Sequence, residues 1–110
     1  MNRIITGSEF RKEINSSTGL SLVQFKIDWN GACQIISPIY EDLAKSYNKQ
    51  ASFFTLDIEN ENGIEAEYGV SELPTILFIR DGKVIDYITG LTPKNVMIAK
   101  IENALLSESL

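Results

Sequence analysis

The sequence predicts an α/β domain built on one mixed sheet. Strand-prone apolar runs alternate with stretches of helical spacing along most of the chain. Asp81-Gly82 sits between two strand-prone runs, a strong hairpin signal because both residues tolerate positive φ. The length of 110 residues fits a single domain spanning 1–110, able to bury a core without a metal or a disulfide. The predicted order is β-α-β-α-β-α-β-β-α, five strands and four helices. Strands separated by helices pair in parallel through crossovers, and the hairpin adds an antiparallel edge.

The elements follow in chain order. Arg3 to Ile5 is a short edge strand. Thr6 starts a helix, and Thr6 with Glu9 fits a capping box, in which hydroxyl and carboxylate satisfy helix-end N–H groups reciprocally. Phe10 and Ile14, four apart, share one face of that helix, and S-S-T-G at 16–19 ends it. Leu20 to Ile27 predicts a buried strand, since Leu22, Val23, Phe25 and Ile27 are apolar and largely strand-prone. After the turn W-N-G-A-C, residues Ile35, Ile36, Ile39, Tyr40, Leu43, Ala44 and Tyr47 recur at helical spacing. Pro38 lies inside that helix, where a missing backbone bond predicts a kink. Ala51 to Ile58 predicts a third strand, with Phe53 and Phe54 as core or sheet-face residues. Ile64 to Tyr68 is a short helix closed by Gly69. Thr75 to Arg80 and Lys83 to Thr89 are the hairpin strands, with Phe78 in the core. Thr92-Pro93 opens the last helix as N-cap and first-turn proline, with Met97, Ile101, Ala104 and Leu105 facing inward.

Composition excludes several functions. The net charge of −5 offers no basic stripe, so neither a nucleic acid nor an anionic membrane surface is an expected partner. No apolar run approaches the ~20 residues of a membrane span, and the N-terminal stretch lacks the apolar core of a signal peptide. The expected location is therefore cytoplasmic, where a reduced thiol is ordinary. The absence of histidine excludes a Cys-His pair and a Ser-His-Asp triad. One cysteine permits no internal disulfide, and no cluster predicts a metal site or a cofactor. The carboxylates of D-I-E-N-E-N, Asp57, Glu59 and Glu61, read as a solvated loop after the third strand.

Separated landmarks in the right order carry a family resemblance. W-N-G-A-C follows a strand and opens a helix, as W-C-G-P-C does in thioredoxin. Pro38 falls at that family's kinking proline, and Y-G-V at 68–70 also matches. L-P-T at 73–75 matches I-P-T, whose proline is cis in the family, while D-G-K at 81–83 and Gly90 match its hairpin turn and groove glycine. From residue 3 to about 106 the chain resembles the thioredoxin family. The resemblance implies a five-stranded mixed sheet with helices on both faces, a cis Leu73-Pro74 bond, and a role in cell redox homeostasis. It also implies a groove built from Trp29, Gly31, Ala32, Leu73, Pro74 and Gly90, where an extended peptide or partner protein pairs with the backbone before the proline. A monomer is expected.

The departures bear on chemistry. Asn30 stands at the attacking cysteine, Gln24 at a buried aspartate, and Thr55 where many members have lysine. Glu72 replaces a small residue, and Lys26 occupies a place where tryptophan is common. Dithiol reduction needs one thiolate to attack the substrate sulfur and a second to release it. Asn30 carries no sulfur and Gln24 cannot ionise, so both the first step and the proton relay are missing. Asparagine is instead a good N-cap, able to accept from the N–H of Ala32 or Cys33. For Cys33 two readings stand: a small buried residue of the first helical turn, or a lone thiol forming a mixed disulfide or sensing oxidant. Trp29 is either a groove wall or ordinary packing.

Overall fold

The computed structural model describes residues 2–107. The strands are β1 (Asn2–Ile5), β2 (Leu20–Lys26), β3 (Ala51–Asp57), β4 (Thr75–Arg80) and β5 (Lys83–Thr89). The helices are α1 (Gly7–Ser16), α2 (Gly31–Ser46), α3 (Ile64–Glu67) and α4 (Lys94–Ser107), with a 3-10 turn at Ile58–Asn60. The strands form one sheet in the order β1-β3-β2-β4-β5. Crossovers make β1, β3 and β2 parallel, while β4 runs antiparallel to both β2 and β5. This is the mixed five-stranded sheet with four helices that the sequence predicts.

Local chemistry sets the element boundaries. In α1 the Glu9 N–H donates to Thr6 Oγ1 at 3.1 Å, and the Thr6 N–H donates to Glu9 Oε1 at 2.8 Å. Two N–H groups that the helix cannot satisfy are thereby paired. The hairpin turn places Asp81 at φ 52° and Gly82 at φ 78°, both in the left-handed region that such turns require. α2 runs through Pro38 without interruption.

Alternation along the strands divides the core between the two sheet faces. Leu20, Leu22, Phe53, Ile76 and Phe78 point to the face covered by α2 and α4, where they meet Ile36, Tyr40, Leu43, Met97 and Ile101. Val23, Phe25, Phe54, Leu56, Leu77 and Ile79 point to the other face, against Phe10 and Ile14 of α1 and Ile64 of α3. The Tyr40 hydroxyl is fully buried, 2.6 Å from the Phe54 carbonyl and 3.0 Å from that of Leu22. Burial raises its pKa well above the usual phenol value.

Several expected details are corrected. β1 begins at Asn2 rather than Arg3. β2 ends at Lys26, leaving Ile27 buried outside the ladder. β3 ends at Asp57, whose carboxylate accepts the Glu59 N–H at 3.0 Å and turns the chain into the 3-10 segment. α3 ends at Glu67. Ile35 faces solvent at 57% exposure, because α2 buries only the stripe continued by Ile36 and Tyr40. Leu105 is half-buried at the margin of its core cluster. Thr92 does not cap α4. Its hydroxyl points back to the Thr89 and Gly90 carbonyls, and the Pro93 carbonyl accepts the first helical N–H groups, those of Val96 and Met97.

Candidate functional site

One row of paired residues crosses the sheet: Ile5, Leu56, Phe25, Thr75 and Thr89. The parallel strands and β5 all leave the sheet beyond this row, and β4 enters there. Asp57–Glu59, Ile27–Asn30, Glu72–Pro74 and Gly90–Leu91 therefore gather at one end. Open α/β sheets bind ligands at this carboxyl end of their strands.

The helix start is held by Asn30. Its Oδ1 accepts the Cys33 N–H at 2.9 Å, so the side chain works as a cap at the place of the attacking thiol. Of the two acceptable donors, Ala32 and Cys33, the structure selects Cys33. Gln34 Nε2 donates to the Asp28 carbonyl at 2.9 Å and braces the same turn.

On the outer side lies Trp29, 69% exposed, with its indole N–H donating to Glu59 Oε2 at 2.9 Å. The ring is thus an anchored surface, not core packing. Gly31 is exposed, and Ala32 and Leu73 are half-buried. Pro74 and Gly90 are buried and joined by a 2.8 Å bond from the Gly90 N–H to the Pro74 carbonyl. The Leu73–Pro74 bond is cis. Among the described residues, none hydrogen-bonds the Leu73 N–H or carbonyl.

The inner side is a polar hollow of about 270 Å³ lined by Gln24, Cys33, Ser37, Thr55 and Asn2, among others. Gln24 follows Leu20 and Leu22 on the α2 face of β2, and Cys33 and Ser37 lie one helical turn apart opposite it. Gln24 Nε2 donates to Ser37 Oγ at 3.3 Å, while the buried Oε1 has no partner among the described residues. An unpaired buried acceptor costs about 1–3 kcal/mol. Thr55 Oγ1 donates to Asn2 Oδ1 at 2.8 Å, and Asn2 Nδ2 donates to Glu41 Oε2 at 3.0 Å, so α2 and β1 are tied around the hollow. Cys33 is only 1% exposed and forms no disulfide.

The carboxylates of D-I-E-N-E-N are not simply solvated. Asp57 caps the 3-10 turn and lies 3.7 Å from Lys26 Nζ. Glu59 anchors Trp29, and Glu61 packs over Gly7 at the start of α1, where an added Cβ would fall 2.3 Å from Glu61 Oε1. Lys26 also pairs with Asp28. Burial pulls the Lys26 pKa down, but the hydrogen bond and charge of Asp28, with Asp57, more than offset it and leave the pKa raised. Sequence reasoning missed Glu59 and Ser37, because their partners lie 30 and 13 residues away in the chain.

Similarity to known proteins agrees with this geometry. The family model described as thioredoxin matches residues 2–103. The chain belongs to the thioredoxin family. It is 36% identical over 97 residues to a thioredoxin of Chlorobaculum thiosulfatiphilum, covering 88% of this chain and 90% of that protein. It is 33% identical over 101 residues to a thioredoxin of Staphylococcus epidermidis, covering 92% and 95%. A solved structure of Plasmodium falciparum thioredoxin superposes with a TM-score of 0.82 at 24% identity, covering 92% of this chain and 97% of that one, which supports the fold. With a single cysteine, this thioredoxin-family chain has no dithiol site. Among the described residues, no group of side chains could hold a metal ion, and no helix is long and apolar enough to cross a membrane.

Proposed function

We propose that the chain binds an extended polypeptide segment in the groove formed by Trp29, Gly31, Ala32, Leu73, Pro74 and Gly90, without thiol chemistry. The observation that carries this reading is the peptide unit of Leu73, which no described residue hydrogen-bonds, at the same end of the sheet as the anchored and exposed Trp29. Backbone groups at a sheet margin pair with an extended strand and need no reactive side chain to gain affinity. On this reading the protein acts as a cytoplasmic monomer with no cofactor, and its place in redox homeostasis is recognition of a partner rather than turnover.

Burial of Cys33 and the cap at Asn30 argue against the alternative, a single-thiol redox protein. The test uses native protein with a thiol reagent, and a disulfide-reduction assay supplied with glutathione or with thioredoxin reductase. The expected results are slow labelling that becomes fast in denaturant, and no turnover above a Cys33→Ser control. Fast native labelling, or turnover lost in Cys33→Ser, replaces the binding reading with the single-thiol one. Asn30→Cys restores a thiol pair at the helix start. Weak reductase activity is expected from it, limited by the missing acid at Gln24.

A further inference from the structure

Glu72 directly precedes Leu73, and its side chain is folded against Gly90. A Cβ placed on Gly90 would fall 2.3 Å from Glu72 Oε2 and 3.5 Å from its Cδ. The carboxylate therefore fills the space that a side chain at position 90 would take. Gly90 is buried at φ 68°, so the backbone there has a conformation suited to glycine and is covered by the glutamate. Among the described residues, no side chain pairs with the Glu72 carboxylate. Lys26, at the end of the strand paired with β4, is held by Asp28 and Asp57. Glu59 adds a further carboxylate at the same end, beside Trp29.

A strand that pairs with Leu73 lies beside the adjoining Glu72 carboxylate, which no described side chain engages. An acidic side chain there meets like charge, and an apolar one strips water from the carboxylate without replacing it. A lysine or arginine supplies the missing partner and draws Glu72 off Gly90. From the Glu72–Gly90 contact at the groove margin we infer that Glu72 makes this groove selective for extended segments carrying a basic residue beside the paired position. The inference rests on the groove reading above and names the class of partner.

The lone tryptophan is the natural reporter, because it lies in the groove. Trp29 emission is titrated with an extended peptide carrying one central lysine, and with the same peptide carrying leucine or glutamate there. The lysine peptide is expected to bind about 3- to 5-fold tighter than the leucine peptide and about 10-fold tighter than the glutamate peptide at low salt, the differences shrinking as salt rises. In Glu72→Gln and in Glu72→Gly the three affinities converge. Equal affinities in the unsubstituted protein overturn the inference while leaving the groove reading intact. So does a lysine preference that survives both substitutions. If calorimetry and fluorescence detect binding of none of the peptides, the groove reading falls and the inference with it.

Discussion

The two sides of the α2 start differ in what they keep. The outer side holds Trp29 on Glu59 and, among the described residues, leaves the Leu73 peptide groups unpaired. The inner side has Gln24 in place of an acid, with its amide oxygen unpaired among the described residues, and a buried Cys33 on the same hollow. An anchored, exposed ring stands on one side, and on the other there is neither a second thiol nor an ionisable group at position 24. On the proposed reading, binding and reaction draw on different residues of one fold and are separable.

Substitutions on each side test that contrast. The largest effect is expected from Phe25→Ala, at the carboxyl end of the strand that leads into the site. Phe25 is fully buried and packs edge-on against Phe10, ring centres 5.5 Å apart. Denaturant unfolding should show a loss of about 3–5 kcal/mol. Asn30→Ala comes next, because it deletes the cap on which the two sides meet. A loss of about 1 kcal/mol is expected, with Asn30→Ser recovering most of it.

Gln24→Leu addresses the inner side alone. It removes the unpaired acceptor and loses a long bond to Ser37. Stability should rise by about 1 kcal/mol, with Trp29 emission unchanged. Destabilisation would show that Gln24 has a partner in solution, such as water in the hollow.

The smallest effect lies away from the site, at Glu9 and Glu67. Their pKa values are lowered, Glu9 first by the Thr6 N–H and hydroxyl, and Glu67 first by the hydrogen bond from Arg11. A lowered folded-state value means the stabilising contribution is complete above the unfolded value and is lost as pH falls through the folded one. Glu9→Gln and Glu67→Gln should therefore differ from the unsubstituted protein at neutral pH and converge with it in acid. Melting temperatures followed across the acid range measure this, and peptide affinity at neutral pH should not follow them.

Much of the fold was legible because its signals are local. The Thr6–Glu9 box, the Asp81-Gly82 turn and the apolar spacing of α2 each involve residues within a few positions of one another. Boundaries slipped where a distant or competing interaction decided them, as when Asp57 spent its carboxylate on Glu59 and ended β3. Thr92 fits a cap by type, but its hydroxyl braces the preceding turn instead. At the site, Asn30 was legible as a cap because its partner is three residues on. Trp29 was ambiguous because Glu59 is 30 residues away.

Residue order alone encodes the succession of elements, the helix cap at Asn30 and the lack of a second thiol. Those depend on residue type and on spacing along the chain. Three-dimensional packing set that Glu59 holds Trp29, that Glu72 covers Gly90, and that Cys33 is buried on the hollow lined by Gln24. These contacts arise because the sheet pairing carries distant loops to one end, and no local period in the sequence encodes which loops will meet.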